Sequence, residues 1–270
     1  MGDLGCGERC ESDTIKSGKV MVEEGVIFLN EVDSTNSYLR QLMENADDPQ
    51  ECTMVCAGFQ TSGHGQVDNV WESERNANLT FSMLFYPNSI LPSEQFYLSQ
   101  MVSLGVVDFL SSYCKLEDLS IKWPNDVYWK DKKIAGILIE NFISGHSIEN
   151  TIAGVGININ QQRFLGDAPN PVSVWQITGQ TYDVNAAALA IRQNICARYL
   201  QLLKAEKGLL RKDYFERLYR RNGYHKYSDE NGAFMAKIED VKESGILLLT
   251  TDAGNRREYA FKEVEYKMEE

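Results

Sequence analysis

The stretch "KWPNDVYWKDKKIAGILIEN", residues 122–141, decides how this chain is read. Trp123 precedes a proline and is biased toward extended backbone. Asn125 and Asp126 make a polar corner; "VYW" runs outward, "KDK" turns and "KIAGILIEN" returns. A β-hairpin is therefore predicted over 121–141. Two-residue alternation on the return strand puts Lys133 on one face with Ala135, Ile137 and Ile139. A lysine at the edge of an apolar face has two readings. It snorkels to water from a strand end, or it is a cation set over the anionic group of a ligand in a partly dry pocket. Gly136 would let that ligand approach the backbone closely.

On the N-terminal side, 26–29 reads as a short strand. Asp33 or Ser34 can cap a following helix in which Tyr38, Leu39, Leu42 and Met43 recur at helical spacing. A second strand is predicted at 53–59, then a Gly-rich loop, then a strand "LTFSMLFYP" closed by Pro87. Residues 93–114 read as a long, largely buried helix, and 152–160 as another strand. An amphipathic helix over 185–207 ends near Gly208, and a second helix runs to about Arg221. After Gly223 the texture changes to three short strand candidates separated by "KESG" and "DAGN". The expected organisation is a loose tail over 1–24, a mixed α/β or α+β body over 25–222, and a small all-β domain over 223–270.

The chain has 270 residues and a net charge of −12, which argues against non-specific grip on nucleic acid while leaving room for a local basic pocket. No apolar run reaches the ~18 residues of a membrane span, and the first residues do not read as a signal peptide. The expected setting is the cytoplasm. Cys6 and Cys10, and Cys52 and Cys56, form two Cys-x3-Cys pairs without a nearby histidine. Cys52 and Cys56 are expected to share one strand face as buried thiols rather than to hold zinc, and no disulfide scaffold is expected.

Two further segments carry chemistry. "GHGQVD" follows a strand but has Asp68 at the place of a third glycine and opens no helix, so it is neither a dinucleotide fingerprint nor a P-loop. It is a loop over a ligand or a plain surface loop. In "TIAGVGININ", Gly154 and Gly156 share a face and Asn158 and Asn160 follow. Two glycines inside a strand weaken it, so a neighbouring helix or a flat ligand should need the space.

Read in order, "EVDSTNSYL", "FQTSGHGQVDNVWESERNANLTFSM", "IKWPNDVYWKDKKIAGILIE" and "IAGVGININ" resemble the biotin protein ligase family, in a short form without an N-terminal DNA-binding domain. The tail resembles that family's C-terminal barrel. The resemblance implies an α+β fold: a mixed β-sheet catalytic domain packed with helices, of the class II synthetase-like biotin/lipoate ligase type, plus an SH3-like β-barrel. It implies an ATP-dependent ligase that makes biotinyl-AMP and passes biotin to a lysine of a biotin carboxyl carrier domain. Such chemistry needs positioning and charge more than a protein nucleophile. By resemblance, Lys133 faces the biotin carboxylate and the adenylate phosphate. Lys122 and Asp126 organise phosphate, Mg²⁺ and the incoming amine, supported by Asn125. Ser34, Thr35, Gln60 and His64 match the biotin side, where Gly136, Gly154 and Gly156 offer backbone. Gln66, Asn69, Trp71 and Asn158 match the ATP side.

One departure stands out. The family loop usually reads Gly-Arg-Gly-x-x-Gly; here residues 63–69 carry no arginine or lysine and gain Asp68. Three functions stay open: an active biotin ligase, a lipoate ligase on the same fold, or a paralogue that binds biotin or carrier without efficient turnover. The "KWPND" block and its "GILIE" return favour biotin.

Overall fold

The computed structural model describes residues 21–45, 49–63, 65, 71–166, 170–204 and 206–267. A mixed sheet is built from β1 (Met21–Glu23), β2 (Val26–Leu29), β3 (Met54–Ala57), β4 (Leu79–Phe85), β5 (Leu119–Lys122), β6 (Asp126–Trp129), β7 (Lys132–Ser144) and β8 (Ser147–Ile157). Their order is β1-β2-β3-β4-β8-β7-β6-β5. Only β2 and β3 pair in parallel among these strands; the other neighbours are antiparallel hairpins or returns. Every residue of β4 is buried, as the unbroken apolar run "LTFSMLF" at the sheet centre requires.

The two faces of the sheet differ. One is covered by α2 (Phe96–Leu110), and behind it lie α4 (Val184–Leu203) and α5 (Lys207–Glu216). Nearly all of α2 is buried because helices lie against it as well as strands. The other face carries α1 (Thr35–Glu44), whose Leu39 closes a small core with Leu29, Val55, Leu84 and Ile152. The rest of that face is left open as a cleft. The short α3 (Val174–Thr178) follows β8, capped by Ser173 and ended by left-handed Gly179.

A second, antiparallel sheet has the order β12-β11-β10-β9-β13: β9 (His225–Asp229), β10 (Gly232–Val241), β11 (Leu247–Thr251), β12 (Arg256–Tyr259) and β13 (Glu265–Tyr266). Trp123 Nε1 donates to Gly245 O at 2.9 Å and Phe96 N to Glu243 O at 3.2 Å, which fastens the two sheets.

Several expectations shift. The helix read at 93–114 is α2 preceded by a 3₁₀ turn at Pro92–Glu94, and Ser111–Cys114 form a turn. The break read near Gly208 falls earlier: α4 stops at Leu203, and Gly208 sits in the first turn of α5. Ser34 holds the N-cap position of α1, but its side chain makes no capping hydrogen bond. Asp33 accepts from Ser34 N, while the first-turn N–H of Thr35 goes to Gln60 Oε1 at 2.8 Å. The three strands read at the C-terminus are joined by β9, and the third, "REYAFKEVEYKM", is split into β12 and the two-residue β13.

Cys52 and Cys56 do not share a strand face. Cys52 lies in the turn before β3 with φ 64°, and Cys56 is buried within β3. Arg192 of α4 donates to Cys52 O at 2.9 Å, and one turn later Cys196 meets the Cys52 thiol. That thiol contact and burial hold Cys52 protonated. Cys6 and Cys10 lie outside the described residues.

Candidate active site

A bulge sets the site. Val127 pairs with Ala135 but Tyr128 pairs with Lys133, so Ile134 is an extra residue on β7. Without it Lys133 would follow Ala135, Ile137 and Ile139 into the helix-covered face, as strict alternation predicted. With it Lys133 joins Asp126, Tyr128 and Gly136 on the open face, since paired residues point the same way. This corrects the face assigned from sequence. The bulge is locked on both sides. Lys133 N donates to Asn170 O at 2.8 Å, Val172 N to Lys133 O at 2.9 Å, and Asn158 N to Ile134 O at 3.0 Å.

The open face is a cleft of about 1340 Å³ whose floor is made of Gly136, Gly154 and Gly156, with Thr80 opposite Gly156. That exceeds the ~300–1000 Å³ typical of one small ligand. Both glycines of β8 are needed for close approach. A Cβ on Gly154 would lie 2.6 Å from Asn36 Oδ1, and one on Gly156 would meet the Trp71 indole. A helix side chain thus fills one space and a flat ring the other. Trp71 Nε1 is buried and has no hydrogen-bond partner among the described residues.

At one end of the cleft, Gln60 Oε1 accepts from Thr35 N and Thr35 Oγ1 (3.1 Å), and Ser82 Oγ lies 2.7 Å from Thr35 Oγ1. Asn36 bonds Ser82 and donates to Glu140 Oε2 at 2.7 Å, which Arg40 also meets at 3.1 Å. Ser34 lines the same end. In the middle, Lys133 Nζ contacts Asp126 Oδ1 at 2.7 Å and stands 5.9 Å from the Trp71 ring centre. Asn125 clamps the corner, donating to Ile137 O at 2.6 Å and accepting from Ile137 N at 2.9 Å. Lys122 donates to Tyr128 OH at 3.1 Å; burial pulls its pKa below the usual lysine value, against the pull of Asp126. At the far end Glu72 accepts from Leu165 N and Gly166 N, both at 2.8 Å, and ties the 163–166 segment to Trp71's neighbourhood. Asn158 is buried, with Nδ2 on Val172 O at 3.1 Å.

The residues singled out by sequence thus gather in one cleft: Ser34, Thr35, Gln60, Trp71, Lys122, Asn125, Asp126, Lys133, Gly136, Gly154, Gly156 and Asn158 all line it. His64, Gln66 and Asn69 lie outside the described residues. Sequence reasoning left out Asn36, Glu140, Glu72 and Tyr266, which also line the cleft. Two-residue spacing from Gly136 through Leu138 would have found Glu140. Nothing local points to Glu72 or Tyr266.

A family profile described as "Biotin/lipoate A/B protein ligase family" matches residues 28–158. Residues 28–158 belong to that family. The matched span of this biotin/lipoate ligase domain holds the α1 corner, the bulged hairpin and the glycine floor. The chain is 27% identical over 243 residues to the bifunctional ligase/repressor BirA of Bacillus spizizenii, covering 87% of this chain and 72% of that one. It is 32% identical over 162 residues to the biotin–[acetyl-CoA-carboxylase] ligase of Paracoccus denitrificans, covering 58% and 65%. The solved biotin protein ligase from Aquifex aeolicus in complex with biotin and ATP superposes with a TM-score of 0.74 at 25% identity, covering 91% of this chain and 100% of that one. The two-sheet architecture of the ligase domain and its C-terminal extension is therefore that of biotin protein ligases.

Proposed function

We propose that this protein is a biotin protein ligase that activates biotin with ATP and transfers it to a lysine of a biotin carboxyl carrier domain. The carrier and the cytoplasmic setting are part of the proposal. The observation that carries it is the bulge at Ile134, which brings Lys133 onto a glycine floor beside Asp126, between a hydroxyl- and amide-lined end and the Trp71 end.

In this reading Thr35, Asn36 and Gln60 hold the polar head of biotin. The carboxylate reaches Lys133 and attacks the α-phosphate of ATP; the α–β bond breaks and pyrophosphate leaves. Lys133 holds the developing charge, and fixed charges of this kind act without reorganisation. Lys122, with Asp126 two positions past the Pro124 corner, steers phosphate at the same floor. The amine of the carrier lysine then attacks the carbonyl of the mixed anhydride, losing a proton, and AMP leaves. Asp126, beside Lys133, is placed to take that proton.

Magnesium ordinarily takes one or two carboxylates plus substrate phosphates. Asp126 fits that pattern, and no group of three metal-binding side chains exists among the described residues. Mg²⁺ would come with ATP, with Asp126 as its protein contact, and would neutralise phosphate charge.

The loop over 63–69, without arginine or lysine, favours a second reading in which adenylate is poorly retained or not turned over. The test is exchange of labelled pyrophosphate into ATP. Biotin-dependent exchange is expected; lipoate-dependent exchange would make this a lipoate ligase, and no exchange a binding paralogue.

A further inference from the structure

We propose that the C-terminal sheet supplies a positioning residue to the cleft: the ring of Tyr266, on β13, holds the Lys122 ammonium in place. The proposal rests on the ligase reading for its consequence in catalysis, not for its physical content.

Lys122 closes β5 and its Nζ lies 5.2 Å from the ring centres of two tyrosines, Tyr128 of its own hairpin and Tyr266 of the other sheet. The first also accepts a hydrogen bond from it at 3.1 Å. The second offers only its face. The Tyr266 hydroxyl is buried with no partner among the described residues, and burial pushes its pKa well above the usual tyrosine value. The ring therefore stays neutral, and its contact with Lys122 is a cation–π contact between two half-buried side chains at the cleft wall.

A two-residue edge strand is a poor anchor by itself, yet Tyr266 is held from several sides. It pairs with Tyr227 on β9, whose ring meets it at 5.0 Å, and Lys267 N donates to Lys226 O at 3.0 Å. Arg220 donates to Lys267 O at 2.7 Å, and the Tyr219 ring lies 6.2 Å away. The charges that face Lys122 are divided: Asp126 and Glu265 favour its ammonium, while Lys133 and Arg220 oppose it. Burial outweighs them and lowers its pKa. The tyrosine ring works against that loss. Without it, the Lys122 side chain would swing more freely.

The ring, not the hydroxyl, is the active part, so Tyr266→Leu and Tyr266→Phe should separate. Trace acetylation with acetic anhydride across pH, read by mass spectrometry at Lys122 in the free full-length protein, gives the lysine's apparent pKa. Tyr266→Leu should lower it by about half a pH unit, the size of a partly exposed cation–π contact; Tyr266→Phe should keep the wild-type value. In pyrophosphate exchange, Tyr266→Leu should raise the KM for ATP by about two- to fivefold, leave the biotin Kd unchanged and move the alkaline limb of the pH profile down with the Lys122 pKa. Thermal melts verify folding, and Tyr266→Met provides the same comparison if the leucine variant does not fold. An unmoved Lys122 pKa in the leucine variant, or an equal shift in the phenylalanine variant, overturns the proposal. A shifted pKa in a protein without biotin-dependent exchange would sink the ligase reading and leave the positioning role standing.

Discussion

Gly156→Ala should separate the two ends of the cleft. The new Cβ would fall against Trp71 Cε2, with Cζ2 and Nε1 at 2.6 Å. Carbon atoms pack at ~3.5 Å, so the indole must retreat by about 1 Å. It cannot go through the floor, because Gly156 sits between Thr80 and Gly136 in the sheet. The ring therefore moves into the cleft, away from its place beside Gly136. Overpacking costs ~1–3 kcal/mol in a filled core. Here the ring is half-buried and yields toward open space, so the lower end applies and the melting point should fall by roughly 2–4 °C. A misplacement of ~1 Å near reacting groups can cost ~100-fold in rate. Biotin-dependent pyrophosphate exchange, titrated with ATP, should lose roughly 10- to 100-fold in kcat/KM for ATP. Biotin affinity, measured by calorimetry without ATP, should change little. Gly154→Ala should do the reverse, because its Cβ lands 2.6 Å from Asn36 Oδ1 at the other end. If the Gly156 variant weakens biotin as much as ATP, or leaves ATP dependence intact, the division of the cleft is wrong.

Three further outcomes are expected. Lys133→Ala should keep the fold and lose ~3 kcal/mol of transition-state stabilisation, about 100-fold or more in adenylate formation; a wild-type adenylation rate would remove Lys133 from the site. Lys122→Met should lower adenylation while its melting point at pH 7 stays level or rises: the native pKa is lowered, so between that value and 10.5 the unfolded chain binds more protons and stability grows with pH, whereas below it the burial penalty is complete. Melts of both proteins across pH 7–11 should converge at the alkaline end, and a constant gap would refute the linkage. For the loop, His64→Arg combined with Asp68→Gly should slow escape of pre-formed biotinyl-adenylate, and wild-type retention should improve as pH falls toward 6 and His64 gains charge; equal release rates in both proteins at every pH would mean the loop does not govern retention.

The sequence by itself determined the elements whose signal is local. The hairpin over 121–141, the buried run of β4, the apolar α2 and the turn-punctuated C-terminal strands all follow from period, apolar runs and turn residues. The set of residues that meet in the cleft follows instead from the resemblance carried by the Ser-Thr-Asn stretch, "KWPND" and the paired glycines of β8, not from periodicity. Tertiary structure decided which way those residues face. The alternation that sent Lys133 to the apolar side is a property of one strand, whereas the bulge at Ile134 depends on the register of β7 with β6 and on residues 170–172. Glu72 bonds a segment 93 and 94 residues away, and Tyr266 reaches Lys122 from the far end of the chain. Cys52, read as a strand residue, turned instead to Cys196 on α4. Periodicity reports the environment of neighbours in sequence; contacts made across a sheet register or between two sheets leave no period to read.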